Sequence, residues 1–207
     1  MGHFPLLYLF RHGATVCQGL LVGSLDLPLS EKGRKQCRRW RAALRGRTFT
    51  AAWSSPLARA RESAGIILSA HSGNTALVEP VPELREISLG EWEGASKDEL
   101  RQRCAAEWAA RGRDLAGYAP PGGESFAGLA ARVLPAFDAL LKHSAAHAHS
   151  LVVAHQAVNR VILARLLKLP LDRVLEIPQG HAALTILELR PDGVRLLRRS
   201  LAGRLRQ

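Results

Sequence analysis

The sequence predicts an α/β fold: a three-layer α/β/α sandwich with a mostly parallel central sheet, an antiparallel edge and a small helical cap. Three observations carry that prediction. Apolar runs of strand length at 6–10, 48–53 and 150–154 each end on polar residues, and stretches of helical period separate them. Two further strand-like runs, 183–189 and 194–197, flank Pro191-Asp192-Gly193, which signals a hairpin rather than another crossover. With 207 residues, 47% of them hydrophobic, the chain can bury one substantial core, so we expect a single domain over 1–207 with a cap insertion at about 91–123.

Taken in order, Leu6-Leu7-Tyr8-Leu9-Phe10 suits a strand buried on both faces, although so short a run also fits a buried helix. Arg11-His12-Gly13 closes it, and residues 14–29 read as a polar, glycine-containing loop. Ser30 fits a helix N-cap with Glu31 in the first turn, and the helix should run to about 45 and stop at Gly46. Strand 48–53 ends at Ser54-Ser55. Pro56 suits a first helical position, and Leu57, Ala60, Ala64, Ile67 and Leu68 extend an apolar stripe to about 71. A third strand is expected at 75–78, after which Pro80 and Pro82 should resist regular structure. Segment 83–94 holds four carboxylates in eleven residues without a clean period, which makes it a loop. A helix at 96–110, a connector at 112–123, a helix from 124 or 125 to 146 interrupted or kinked near Pro135, and a buried helix at 158–167 complete the pattern.

The net charge of +11 is concentrated at 32–47 and 190–206. In the first segment Cys37, Trp40 and Leu44 recur at helical spacing, so the arginines form the wet face of an amphipathic helix. No nucleic-acid motif accompanies them, and no specific nucleic-acid partner is expected. No apolar run approaches the ~20 residues of a membrane span and no leader is evident, which points to a cytoplasmic protein off the membrane. Cys17, Cys37 and Cys104 are odd in number and lack metal-binding spacing, so reduced thiols and no metal site or cofactor are expected.

The chemistry gathers at three strand ends: Arg11-His12, Ser54-Ser55 leading to Arg59, and His155. In a parallel sheet these ends open onto one edge, so two arginines and two histidines converge. Mutually repelling cations need an anion between them, and a phosphoryl group matches guanidinium forks and imidazole donors.

Arg11-His12-Gly13 with Thr15, Asp26-Leu27-Pro28-Leu29-Ser30-Glu31-Lys32-Gly33, Ser54-Ser55-Pro56-Leu57-Ala58-Arg59-Ala60, Leu84-Arg85-Glu86 with Gly90-Glu91-Trp92-Glu93-Gly94, and Val152-Val153-Ala154-His155 together resemble the histidine phosphatase superfamily, which includes phosphoglycerate mutases and small phosphatases. The motifs fall in the family's order from about Leu6 to Leu189. The resemblance implies that His12 is a nucleophile that becomes phosphohistidine and that Arg11, Arg59 and His155 clamp the phosphoryl group. It implies that Glu86 protonates the leaving alkoxide and later activates water. A carboxyl group donates only where its surroundings keep it protonated, and Glu83, Glu91 and Glu93 are the expected neighbours.

The pattern departs from the family at several positions. Ala14 stands where many members have an acid, Gln18 where many have a phosphate-holding asparagine, and Gln156 where glycine usually follows the second histidine. Gln18, Ser24 and Gln156 are candidate substrate contacts. Gln156 and the Pro-Gly-Gly-Glu-Ser stretch at 121–125 lean toward the family's α-ribazole phosphatase-like members, which makes α-ribazole 5'-phosphate a candidate substrate. Ile87, Ser88 and Leu89 replace the carboxylate-binding residues of the mutases, which favours hydrolysis of a small phosphorylated metabolite over mutase-type transfer. A weakly catalytic phospho-ligand binder and a nucleic-acid binder with salt-dependent affinity are the remaining alternatives. Trp92, Trp108 and Tyr118 are expected either to meet a flat leaving group or to pack inside the cap. The sequence leaves a homodimer open.

Overall fold

The computed structural model describes residues 4–17, 19–69, 77–146 and 148–202. Strands β1 (Leu6–Arg11), β2 (Ala51–Ser54), β3 (Val78–Pro80) and β4 (His149–Ala154) run parallel, while β5 (Ala183–Arg190) and β6 (Gly193–Ala202) are antiparallel. They form one six-stranded sheet in the order β3-β2-β4-β1-β5-β6, which puts the first strand in the interior. Its alternating side chains serve two cores. Leu7 and Leu9 pack with α5 (Phe126–Ser144) and α6 (Gln156–Leu166), and Tyr8 and Phe10 pack on the other face with α1 (Glu31–Ala43) and α2 (Ala58–Leu68). Each fully buried leucine here contributes about 2 kcal/mol of hydrophobic stabilisation. The result is the expected α/β/α sandwich with an antiparallel edge.

Local chemistry explains most element ends. Ser30 accepts the Gly33 N–H as the N-cap of α1, whose buried Gly33, Cys37 and Trp40 are followed by buried Leu44, leaving the basic residues on the outer face. Helix α2 starts at Ala58 rather than at Pro56, because the Asp26 carboxylate reaches across from the preceding loop and accepts the Ala58 N–H at 2.7 Å. Strand β2 begins at Ala51, later than the apolar run. Pro80 belongs to a strand after all: it pairs with Ser54 on edge strand β3, where a missing N–H costs nothing. Residues 75 and 76 of the expected third strand lie outside the described residues.

The expected helix at 96–110 is two helices, α3 (Lys97–Arg103) and α4 (Ala105–Arg113), broken where Cys104 leaves helical backbone. Trp92, Ala95 and Leu100 give this region its own small apolar cluster. Helix α5 runs unbroken through Pro135. Among the described residues no helix is long and apolar enough to cross a membrane.

Candidate active site

Sheet register brings the three strand ends to one level. Arg11 pairs with Ala154 and Ser54 with Val153. The ladder continues one step beyond the strands, with the His12 N–H on the Ala154 carbonyl at 3.1 Å and the Ser55 N–H on the Val153 carbonyl at 2.9 Å. His12 and His155 therefore become neighbours, ring centroids 5.0 Å apart.

The turn carrying His12 lies directly on the backbone of α1. A Cβ on Gly13 would sit 2.6 Å from the Gly33 carbonyl oxygen, and one on Gly33 would sit 2.1 Å from that of Ala14, so only two glycines allow the approach. Side chains then fasten the turn: Ser63 accepts the Gly13 N–H and Gln36 accepts the Ala14 N–H. His12 Nδ1 lies 2.7 Å from the Gly13 carbonyl oxygen, which can only accept. The proton is thus on Nδ1, and Nε2 carries the free lone pair. Burial, then Arg11 and Arg59, push the His12 pKa well below its ordinary value, keeping the imidazole neutral.

The cations around it are deeply placed. Arg59, 1% exposed, donates to the carbonyls of Gly23 and Leu25, and Arg11 donates to the Gln179 carbonyl and to His181 Nε2. Burial pushes the Arg11 pKa down to about 10. Among the described residues, the Nε of Arg11, the Nε of Arg59 and both ring nitrogens of His155 have no hydrogen-bond partner. Burial, then the neighbouring His12 ring and the charges of Arg59 and Arg11, also hold the His155 pKa well below the usual imidazole range. Unpartnered buried donors are costly, and several of them side by side mark a place built for acceptor oxygens.

Glu86 closes the site from the loop. Its carboxylate accepts the N–H groups of Gln156 and Ala157, the start of α6, and that of Ile87. Helix α6 has no side-chain cap of its own from His155, so Glu86 supplies it across space. The expected crowd of carboxylates is not there: Glu83 and Glu91 are exposed, and Glu93 accepts from Ser24 and from the Leu89 N–H. What faces Glu86 instead is positive, namely Arg11, Arg59 and Arg160. Arg132 holds the loop by donating to the carbonyls of Glu83, Arg85 and Glu86 while its guanidinium forks onto Glu124.

A cavity of about 580 Å³ spans these groups. Arg11, His12, Arg59, Glu86 and Gln156 line it, and His155 is buried against His12. The Gln156 amide donates to the Gln179 carbonyl. Ser24 does not line this cavity, because its N–H and hydroxyl are both turned to Glu93. Gln18 lies outside the described residues. Leu20, Leu89, Leu115, Trp108 and Tyr118 also line the cavity, together with the cations Lys97, Arg101 and Arg111 of α3 and α4. Trp92 is 2% exposed and packs with Trp108 and Tyr118, so it belongs to the local core. The guanidiniums of Arg101 and Arg111 lie over the Trp108 ring.

Sequence reasoning missed His181, Lys32 and Arg160, all lining the cavity. Lys32 lies in the Asp26–Gly33 motif, where its charge reads as part of the wet face of the helix. His181 follows an irregular segment and carried no periodic signal.

Comparison with known proteins gives the family. Residues 7–201 match the histidine phosphatase superfamily (branch 1). The chain is 31% identical over 202 residues to the adenosylcobalamin/alpha-ribazole phosphatase of Escherichia coli strain K12, covering 91% of this chain and 98% of that protein. It is 32% identical to a 2,3-bisphosphoglycerate-dependent phosphoglycerate mutase of Rhizobium etli, covering 90% and 91%. The solved structure of the alpha-ribazole phosphatase from Shigella flexneri superimposes with a TM-score of 0.85 at 27% identity, covering 95% of this chain and 96% of that one. The chain belongs to the histidine phosphatase superfamily.

Proposed function

We propose that this phosphatase hydrolyses a small phosphorylated metabolite without a metal ion, through a phosphohistidine on His12. The observation that carries the reading is the pairing of a neutral imidazole, proton fixed on Nδ1, with the unpartnered donors of Arg11, Arg59 and His155 beside it. The His12 Nε2 lone pair attacks phosphorus as the ester P–O bond breaks, and Glu86, which carries a proton once the entering phosphoryl charge offsets the cations that face it, gives that proton to the departing alkoxide. In the second half Glu86 takes a proton from water, the water oxygen attacks phosphorus, the P–N bond breaks and inorganic phosphate leaves. Arg11, Arg59 and His155 stay fixed throughout and meet the charge on the equatorial oxygens.

Segment 91–123, with α3 and α4, serves as a cap that receives the leaving group. An α-ribazole-type nucleoside 5'-phosphate is our substrate of choice, supported by the names of similar proteins and by the aromatic residues Trp108 and Tyr118 in the cavity lining. Ile87 and Leu89 line the cavity in the stretch after Glu86 and offer no partner for a substrate carboxylate, which disfavours a mutase. Gln156 contacts the substrate from the start of α6.

The test is turnover of p-nitrophenyl phosphate in chelator with rapid quenching. We expect an acid-labile phosphoenzyme in the wild type, and in His12→Ala none, with kcat/KM down on the order of 10⁴-fold or more. Full activity in His12→Ala would defeat the proposal. A screen over phosphorylated metabolites then ranks α-ribazole 5'-phosphate against phosphoglycerates.

A further inference from the structure

We propose that His181 is a third imidazole of the phosphoryl site, a neutral N–H donor that contacts the substrate's phosphoryl oxygens. This rests on the phosphatase reading and adds a substrate-contacting residue to it. His181 lines the cavity, and its ring lies 5.7 Å from that of His12, centroid to centroid. Its Nε2 is 3.1 Å from Arg11 Nη2. A guanidinium only donates, so Nε2 accepts and the remaining proton of the neutral ring sits on Nδ1, free to donate.

The position is held by backbone rather than by chance of rotamer. Residues Gly180 to Ala183 form a turn closed by the Ala183 N–H on the Gly180 carbonyl, with Ala182 in left-handed backbone at φ 56°. The Ala182 N–H donates to the His12 carbonyl at 3.0 Å, and the Trp40 indole donates to the Ala182 carbonyl at 2.8 Å. The nucleophile's own main chain thus fixes the residue next to His181, a strained arrangement of the kind that gathers at functional sites.

Charge keeps the ring neutral when the cavity holds no anion. Partial burial, together with Arg11 of β1, Lys32 of α1 and Arg59 of α2, pushes the His181 pKa down to about 4, and His12 beside it is neutral. An arriving phosphate offsets those cations, so the ring gains a proton more readily in the complex than in the free enzyme. Phosphate affinity should therefore strengthen as pH falls toward the His181 pKa of the ligand-free enzyme.

Inorganic phosphate is the probe, read as competitive inhibition of p-nitrophenyl phosphate hydrolysis by the full chain from pH 5 to 8. His181→Ala should weaken phosphate about tenfold at pH 7, the loss expected for one hydrogen bond to a charged group, and His181→Asn, which restores an N–H donor, should recover most of it. Corrected for the ionisation of phosphate, the extra tightening toward pH 5 should be present in the wild type and reduced in both variants. A role confined to orienting Arg11 would leave that pH dependence unchanged and overturns the proposal, as does a His181→Ala constant within twofold of wild type at every pH. If the wild type itself neither turns over the ester nor binds phosphate, the phosphatase reading fails first.

Discussion

The two ends of the cavity are built on opposite principles. At the sheet end, cationic and imidazole groups are buried with donors left over, and backbone contacts fix them: strand register, the Gly13–Gly33 approach, and Glu86 on the first N–H groups of α6. At the far end, aromatic rings satisfy one another, with Trp92 against Trp108 and Tyr118, and charged side chains pair in solvent, as Arg101 does with Asp98. The first end holds its donors in reserve for a ligand, whereas at the second the rings pack on one another and the cations Arg101 and Arg111 rest over Trp108. Chemistry should therefore be unforgiving at the sheet end and tolerant at the cap.

The largest effect that sharpens this contrast is expected from Glu86→Gln, which keeps the shape but removes the transferable proton. Its kcat should fall about 10²- to 10⁴-fold with an alkyl phosphate and far less with p-nitrophenyl phosphate, whose leaving group needs no proton. Equal losses on both substrates would mean that Glu86 acts only as the cap of α6. Next comes Gly33→Ala. The added methyl must push the Ala14 carbonyl and shift His12, so kcat/KM should drop about 100-fold, as expected for a displacement of roughly 1 Å. A variant with unchanged kinetics would show that the turn tolerates movement.

At the cap, Trp108→Leu should change KM for p-nitrophenyl phosphate only about twofold to fivefold and leave kcat near wild type, since one apolar contact discriminates weakly. A kcat loss comparable to that of Gly33→Ala would break the comparison. The smallest effect is on stability. His12 and His155 are held neutral in the folded protein, whereas the unfolded chain takes up their protons near pH 6.5. The unfolded state then binds more protons, so Tm should decline as pH falls below about 6.5, and His155→Asn should flatten the decline. Identical slopes in the two proteins would remove His155 from that account.

How much of this was readable beforehand follows the same division. Arg11, His12, Arg59 and His155 were legible because strands impose a direction, and three parallel ends share an edge wherever the connecting helices go. Ser30, the hairpin at Pro191-Asp192-Gly193 and the wet face of α1 were legible from purely local chemistry. What was hidden depends on contacts between distant segments. Glu86 meets the start of α6 rather than its acidic sequence neighbours, Asp26 caps α2 from another loop, and Pro80 is tolerated only because β3 is an edge. His181 was invisible for the same reason, since its significance comes from Arg11 and from the His12 carbonyl, some 170 residues earlier.

The interior placement of β1 has a consequence for how the molecule comes into being. Leu6 is registered against His149 on one side and Glu188 on the other, so β1 pairs with neither neighbour until β4 and β5 have been made. Such distant pairing makes folding slow and leaves an apolar segment uncovered during synthesis. It also means that His12 acquires Ala154, Ala182 and Arg11's partners together. Until β4 and the turn before β5 have joined β1, no partial fold holds the phosphate site.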